Sequence, residues 1–192
     1  MIRSSAGSSY VEVLVGLAIV SVLVALSVPA TAYSIDSSRA RDAAGFLAAR
    51  LRLARQHAVF RNASAGLVFD AVDGRWQIRA CQDGNGNGLR RVEMASGVDP
   101  CPDGPFDLGR MFPGITIAVD SNLPGPDGEP GSTDPVRFGA SDIASFSPEG
   151  SATPGSVYVR SARGLLQYAV RVGNVTGRTR VLRYDTGSQI WR

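Results

Sequence analysis

Lysine does not occur in this sequence, and histidine occurs once, at His57. All 20 basic residues are arginine, a bias that GC-rich coding accounts for. Every side-chain cation is therefore a guanidinium, which forks onto phosphate and carboxylate better than an ammonium does. Cysteine is equally sparse: Cys81 and Cys101 are the only two. With one histidine and no third thiol, a zinc site of the usual make-up lacks its ligands. The sequence also has no nucleophile elbow, no glycine-rich phosphate loop and no cluster of metal ligands. No general base has partners, so the chain reads as a non-enzyme without a cofactor.

Overall charge is small at +3, but its distribution is uneven. Residues 99–149 carry nine acids against Arg110 and Arg137. Residues 157–192 carry seven arginines against Asp185 alone. Such an asymmetry describes either ordinary solvated surface or a basic face that meets an anion. The cysteines depend on compartment in the same open way. In an exported domain a Cys81–Cys101 bridge closing a loop of about 20 residues would stabilise by roughly 3 kcal/mol. In the cytosol they would be two free thiols.

The N-terminus carries the strongest signal. Residues 13–28 are uncharged and mostly apolar, and with Val11 before and Pro29 after they approach the ~20 residues that cross a bilayer as a helix. A short polar leader with one charge, Arg3, precedes them, and Glu12 sits at the mouth of the run. A carboxylate there costs a few kcal/mol unless it finds a partner or snorkels to the headgroups. Three readings fit. One is a cleaved secretory signal with Ala30-Thr31-Ala32 as its site, although the apolar run is long for that purpose. Another is a plain signal anchor. The third is a prepilin.

Gly7-Ser8-Ser9-Tyr10-Val11-Glu12 followed by the apolar run resembles the prepilin peptidase site of type IV pilins and pseudopilins. The resemblance implies cleavage between Gly7 and Ser8, with Glu12 as the fifth mature residue. It also implies that Pro29 is the helix-kinking proline of the family. Ser8 departs from the usual phenylalanine, which puts N-methylation of the new terminus in doubt more than it does cleavage. The physics agrees with this pattern. Glu12 of one subunit can neutralise the free α-ammonium of a neighbour, which would fix register and assembly.

Past the apolar run, Ser34–Phe60 is an amphipathic helix. Ala40, Ala44, Leu47, Leu51, Ala54 and Ala58 recur at spacings of three and four, and arginines fill the other sides. Pro29 would bend or locally melt the rod. His57 reads as a helix-surface residue. After residue 62 the pattern turns to short strands. Ser64–Asp70 and Arg75–Cys81 flank Asp73-Gly74, a hairpin signal. Gly114–Asp120, Val157–Ser161, Leu165–Val172 and Thr179–Tyr184 are further strands. Pro124–Pro135, rich in glycine, proline and aspartate, is expected to be a mobile surface loop. The fold class is therefore α+β, a long N-terminal helix on an antiparallel sheet. Its parts are a leader over 1–7, the helix over 8–62 with a transmembrane part at about 11–32, and a β-rich domain over 63–192.

Phe146-Ser-Pro-Glu-Gly150 leading through Gly155 into Val157-Tyr-Val159, then Gly177-Arg178-Thr179-Arg180-Val181, resembles the GspH/FimT group of minor pseudopilins. The resemblance implies a structural subunit of a type II secretion system or a type IV pilus-like filament. Its partners would be other pseudopilins, the prepilin peptidase and the inner membrane, which it crosses once with its C-terminal domain in the periplasm. In DNA-uptake members of the FimT type a Gly-Arg-x-Arg motif binds DNA. Arg178 and Arg180 match it, and on a strand they point to one side about 6.5–7 Å apart. Arg183, Arg171 and Arg192 would extend that patch, making DNA an alternative partner. Asp83-Gly-Asn85-Gly-Asn87-Gly88 fits the first half of a calcium loop, but Met94 occupies the twelfth position. These Asn-Gly pairs also make good turns, so a structural turn is the first reading and a metal the second.

The mature chain is expected to begin at Ser8, which N-terminal sequencing of protein from cells holding the processing peptidase would read directly. A chain beginning at Tyr33 would indicate an ordinary signal peptide instead.

Overall fold

The structure, a computed structural model, describes residues 10–164 and 166–192, with the side chains of 26–31 outside that description. The leader, Gly7, Ser8 and the Pro29 side chain thus lie outside the described residues. The chain divides into two compact units, Met1–Asp36 and Ser37–Arg192. The division falls within helix α1 (Tyr10–Arg61), so the amphipathic half of the helix belongs to the same unit as the strands.

In the first unit, Val11 to Val24 display exposed apolar side chains, Leu14, Leu17, Ile19 and Leu23 among them. Glu12 stands in the first helical turn and is exposed. Among the described residues no helix is long and apolar enough to cross a membrane. The apolar run read from the sequence continues past Ala25, into side chains outside the description.

In the second unit, α1 buries one narrow stripe: Ala40, Ala43, Ala44, Leu47, Ala48, Leu51, Ala54 and Ala58. The six positions read from the sequence are all in it. Their spacing of three and four sets them on one side of the helix. Arg52, Gln56, His57 and Phe60 are exposed on the other sides. The helix ends where Asn62 takes a left-handed φ of 52°, a conformation asparagine tolerates at helix C-termini.

Strands β1 (Ala65–Val72) and β2 (Arg75–Gln82) form the expected hairpin, with Asp73 and Gly74 both at positive φ as a type I′ turn requires. The short helix α2 (Arg91–Ser96) follows, then β3 (Asp103–Asp107) and the one-turn helix α3 (Leu108–Met111), which Asp107 caps. Next come β4 (Ile115–Ile117), β5 (Val136–Arg137), β6 (Ile143–Phe146) and β7 (Gly155–Ser161). The chain finishes with β8 (Gln167–Val172), β9 (Thr179–Asp185) and β10 (Ile190–Trp191).

These strands make two antiparallel sheets rather than one. The four-stranded sheet has the order β3-β2-β1-β6. The six-stranded sheet has the order β10-β9-β8-β7-β4, with β5 also pairing β7. Register fixes which residues share a face, because side chains alternate along a strand. Leu67 pairs with Ala80 and Ala144, and Phe69 with Ile78, so these face inward. Val157 pairs with Val170, and Val159 with Tyr168, so these face inward on the second sheet. Both inner faces join the α1 stripe in one core, where Phe69 and Phe138 stack at 5.8 Å.

The outer faces are covered by the two long excursions of the chain. Val68, Cys81 and Ile143 on the outside of the first sheet form a small separate cluster with Leu89, Met94 and Cys101. There Cys81 and Cys101 are joined in a disulfide. Asp70, on the same face, receives Arg79 at 2.7 Å and Arg91 at 2.5 Å and ties α2 to the hairpin. The outer face of the second sheet lies under residues 118–135. The part from 124 to 135, expected as a mobile loop, is held with the rest as a strap. Gln167 Nε2 donates to the Ala118 carbonyl at 2.8 Å, and the Trp191 indole donates to the Pro124 carbonyl at 2.7 Å. Arg171 forms an ion pair with Asp127. Its glycines and prolines exclude regular structure, but its carbonyls and acids still find donors on the sheet.

Candidate functional site

The arginine pair of the Gly-Arg-x-Arg segment stands at the edge of this strapped face. Arg171 on β8 and Arg180 on β9 are direct cross-strand partners, pointing outward. Arg178 shares their parity, two residues before Arg180. With Leu182, Trp191 and the strap residues Pro126 and Asp127 they line a groove of about 460 Å³. Arg178 and Arg180 are exposed and have no ion-pair partner among the described residues. Arg171 is half-buried and engaged by Asp127.

Arg183, expected to extend this patch, falls on the opposite parity. Its cross-strand partner is the core residue Tyr168, and it does not line the groove. The basic surface is therefore built from Arg171, Arg178 and Arg180. Arg171 joins the patch as its sequence position suggested, whereas the Asp127 carboxylate that meets it there was signalled only by the charge asymmetry along the chain.

The glycine of the same motif has a separate task. Gly177 has φ of 56°, and a Cβ there would lie 2.5 Å from the Gly150 carbonyl oxygen and 3.0 Å from the Arg55 side chain. Arg55 Nε in turn donates to the Gly150 carbonyl at 3.1 Å. The Phe146–Gly150 segment and the Gly177–Arg180 segment thus meet on one arginine of α1. That junction fixes where β9 begins and so aims Arg178 and Arg180 outward.

The Asp83 loop is organised around its own backbone. Asp83 is buried, and its Oδ1 accepts from the amides of Asn85 at 3.0 Å and Gly86 at 2.7 Å. Oδ2 accepts from the Gly88 amide at 2.7 Å. The fully buried Asp99 closes the base by accepting from Gly84 at 3.2 Å and Arg90 at 2.9 Å. Asn87 Nδ2 donates to Glu93 at 2.8 Å. These amides hold three of the roughly four lone-pair sites of the carboxylate, which is the hydrogen bonding of a structural turn. Among the described residues no group of three His, Cys, Asp or Glu side chains is arranged to hold a metal. Burial pushes the Asp83 carboxyl up, but the amide hydrogen bonds from Gly88, Gly86 and Asn85 outweigh it and hold the group below its ordinary value.

Residues 43–177 match the model of a family described as type II transport protein GspH. The chain belongs to the GspH family. The matched span starts within the buried stripe of α1 and ends on Gly177, so it takes in both glycines of the Arg55 junction but stops before Arg178 and Arg180. No curated protein sequence matches this GspH-family chain. Among solved structures, the minor pseudopilin EpsH from the type 2 secretion system of Vibrio cholerae is similar. The match has a TM-score of 0.47 at 16% identity and covers 76% of this chain and 97% of that one.

The Asp83 turn makes a pH-dependent contribution whose sign follows from its depressed pKa. The stabilisation is complete above the unfolded carboxylate value of about 4 and is lost as pH falls through the lower folded value. Asp83→Asn should therefore be less stable than wild type at pH 7, with the gap narrowing as pH falls below about 4. Urea midpoints at pH 7, 5 and 3 check this; a gap that stays constant contradicts it.

Proposed function

We propose that this GspH-family chain is a minor pseudopilin, a structural subunit that joins a type II secretion filament rather than catalysing a reaction. The observation that carries the reading is the outward apolar surface of α1 from Val11 to Val24, with one carboxylate, Glu12, at its start. With the uncharged, apolar sequence running on to residue 28, the segment would seat the chain in the inner membrane and leave Ser37–Arg192 in the periplasm. There, the oxidising compartment suits the Cys81–Cys101 disulfide. Prepilin peptidase would cut between Gly7 and Ser8. The freed α-ammonium of one subunit would then pair with Glu12 of the next, since neither charge is tolerated alone in hydrocarbon. Pro29 would let the helix adjust between lipid and filament.

A second reading has its own observation: Arg178 and Arg180 are exposed, without ion pairs among the described residues, and share a groove with Arg171. Under it the chain is a FimT-like minor pilin that contacts DNA. Such binding is electrostatic and falls steeply as salt is raised.

The first reading is tested on the full chain in cells that assemble the filament. Glu12→Gln should reduce recovery of the subunit with sheared filaments by about tenfold or more, the effect of losing at least ~1.4 kcal/mol per contact. Undiminished incorporation would remove the pairing of Glu12 from the account.

A further inference from the structure

The acidic strap and the basic sheet face are the two halves of the charge asymmetry along the chain, and the fold brings them together. Strap acids occupy two outward arginines. Glu129 lies 3.7 Å from Arg137, and Asp127 pairs with Arg171. Arg178 and Arg180, in the same groove as Arg171, are left open. The groove therefore already holds one anion, the Asp127 carboxylate, on its third arginine.

Trp191 forms another wall of the same groove. Its indole N–H is committed to the Pro124 carbonyl, and Tyr158 and Tyr184 meet it edge-on at 5.8 and 5.3 Å. The rest of its partly exposed side chain lines the groove. An aromatic face beside a line of guanidinium groups suits a nucleic acid strand, because every base stacks and every linkage carries a phosphate. An acidic peptide would use the arginines but has no general need of the ring.

We propose that the groove is a three-arginine anion site in which Asp127 stands where one phosphate of a single nucleic acid strand would bind, so that strap and ligand compete for Arg171. The inference rests on the reading of Arg178 and Arg180 as a DNA contact and adds to it a third subsite and a built-in competitor. The Asp127 side chain is 53% exposed and that of Arg171 34%. An ion pair this open shifts an equilibrium only about two- to fivefold, so a phosphate can displace it. The strap would remain anchored meanwhile through Pro124 and Ala118, whose carbonyls are held by Trp191 and Gln167.

The test measures fluorescence anisotropy of a labelled thymidine strand of about 20 nucleotides against the full chain in detergent at low salt. Asp127→Asn should bind about two- to fivefold tighter than wild type. Glu129→Gln, which removes an equal charge from the same strap but pairs with Arg137, should change affinity much less. Arg171→Ala should weaken binding, and adding Asp127→Asn to it should restore nothing. Binding by wild type that is lost in Arg178→Ala/Arg180→Ala but is unaltered by Asp127→Asn would overturn the competition and leave the DNA contact standing. Equal gains from Asp127→Asn and Glu129→Gln would also overturn it, by reducing the effect to net charge. No binding by either wild type or Asp127→Asn would overturn both the DNA contact and the inference. Displacement of the strand by polyglutamate at equal charge concentration would overturn the choice of ligand.

Discussion

The stripe of alanines and leucines along the second half of α1 decides where the rest of the domain goes. A helix that presents Ala40, Ala43, Ala44, Ala48, Ala54 and Ala58 carries little side-chain bulk on that side apart from Leu47 and Leu51. Two sheets can then bring large residues, such as Phe69, Phe138, Phe146 and Tyr168, into one core with that helix. Each fully buried aromatic or aliphatic side chain contributes about 1.5–3 kcal/mol to holding that arrangement.

Once the inner faces are committed to α1, strand alternation leaves no choice about the outer ones. Cys81 must face away from the helix because Ala80 and Gln82 share the other parity, and it meets Cys101 there. Arg171 and Arg180 face outward because Val170, Val172 and Thr179, of the other parity, are buried. The groove and its cations are thus a consequence of helix packing as much as of the arginines themselves. The contact of Arg55 with Gly150 and Gly177 makes the same link in one place, since α1 reaches through to the residue that precedes the arginine pair.

Much of this is legible in the sequence. The buried stripe was readable because a helix repeats every 3.6 residues, and six positions at that spacing leave little ambiguity. The β1–β2 hairpin was readable because Asp73-Gly74 suits a turn that needs two positive φ values. Three features were not readable. β3 contains Gly104-Pro105 and reads as loop, yet proline is tolerated there because β3 is an edge strand. The split into two sheets depends on β6 pairing β1 and β5 pairing β7, contacts between segments far apart in sequence that no local pattern announces. The strap from 124 to 135 has the glycine, proline and aspartate content of a mobile loop. Its anchors are Gln167, Arg171 and Trp191, all more than 40 residues from the groups they hold.

The most direct measurement compares two leucine substitutions on α1. Ala44 is fully buried in the stripe, whereas Ala49 is exposed on the same helix. Ala44→Leu should force the sheets apart, cost about 1–3 kcal/mol and lower the thermal midpoint by several degrees, while Ala49→Leu should leave it within about a degree. Equal midpoints for the two variants would contradict the claim that this stripe organises the fold.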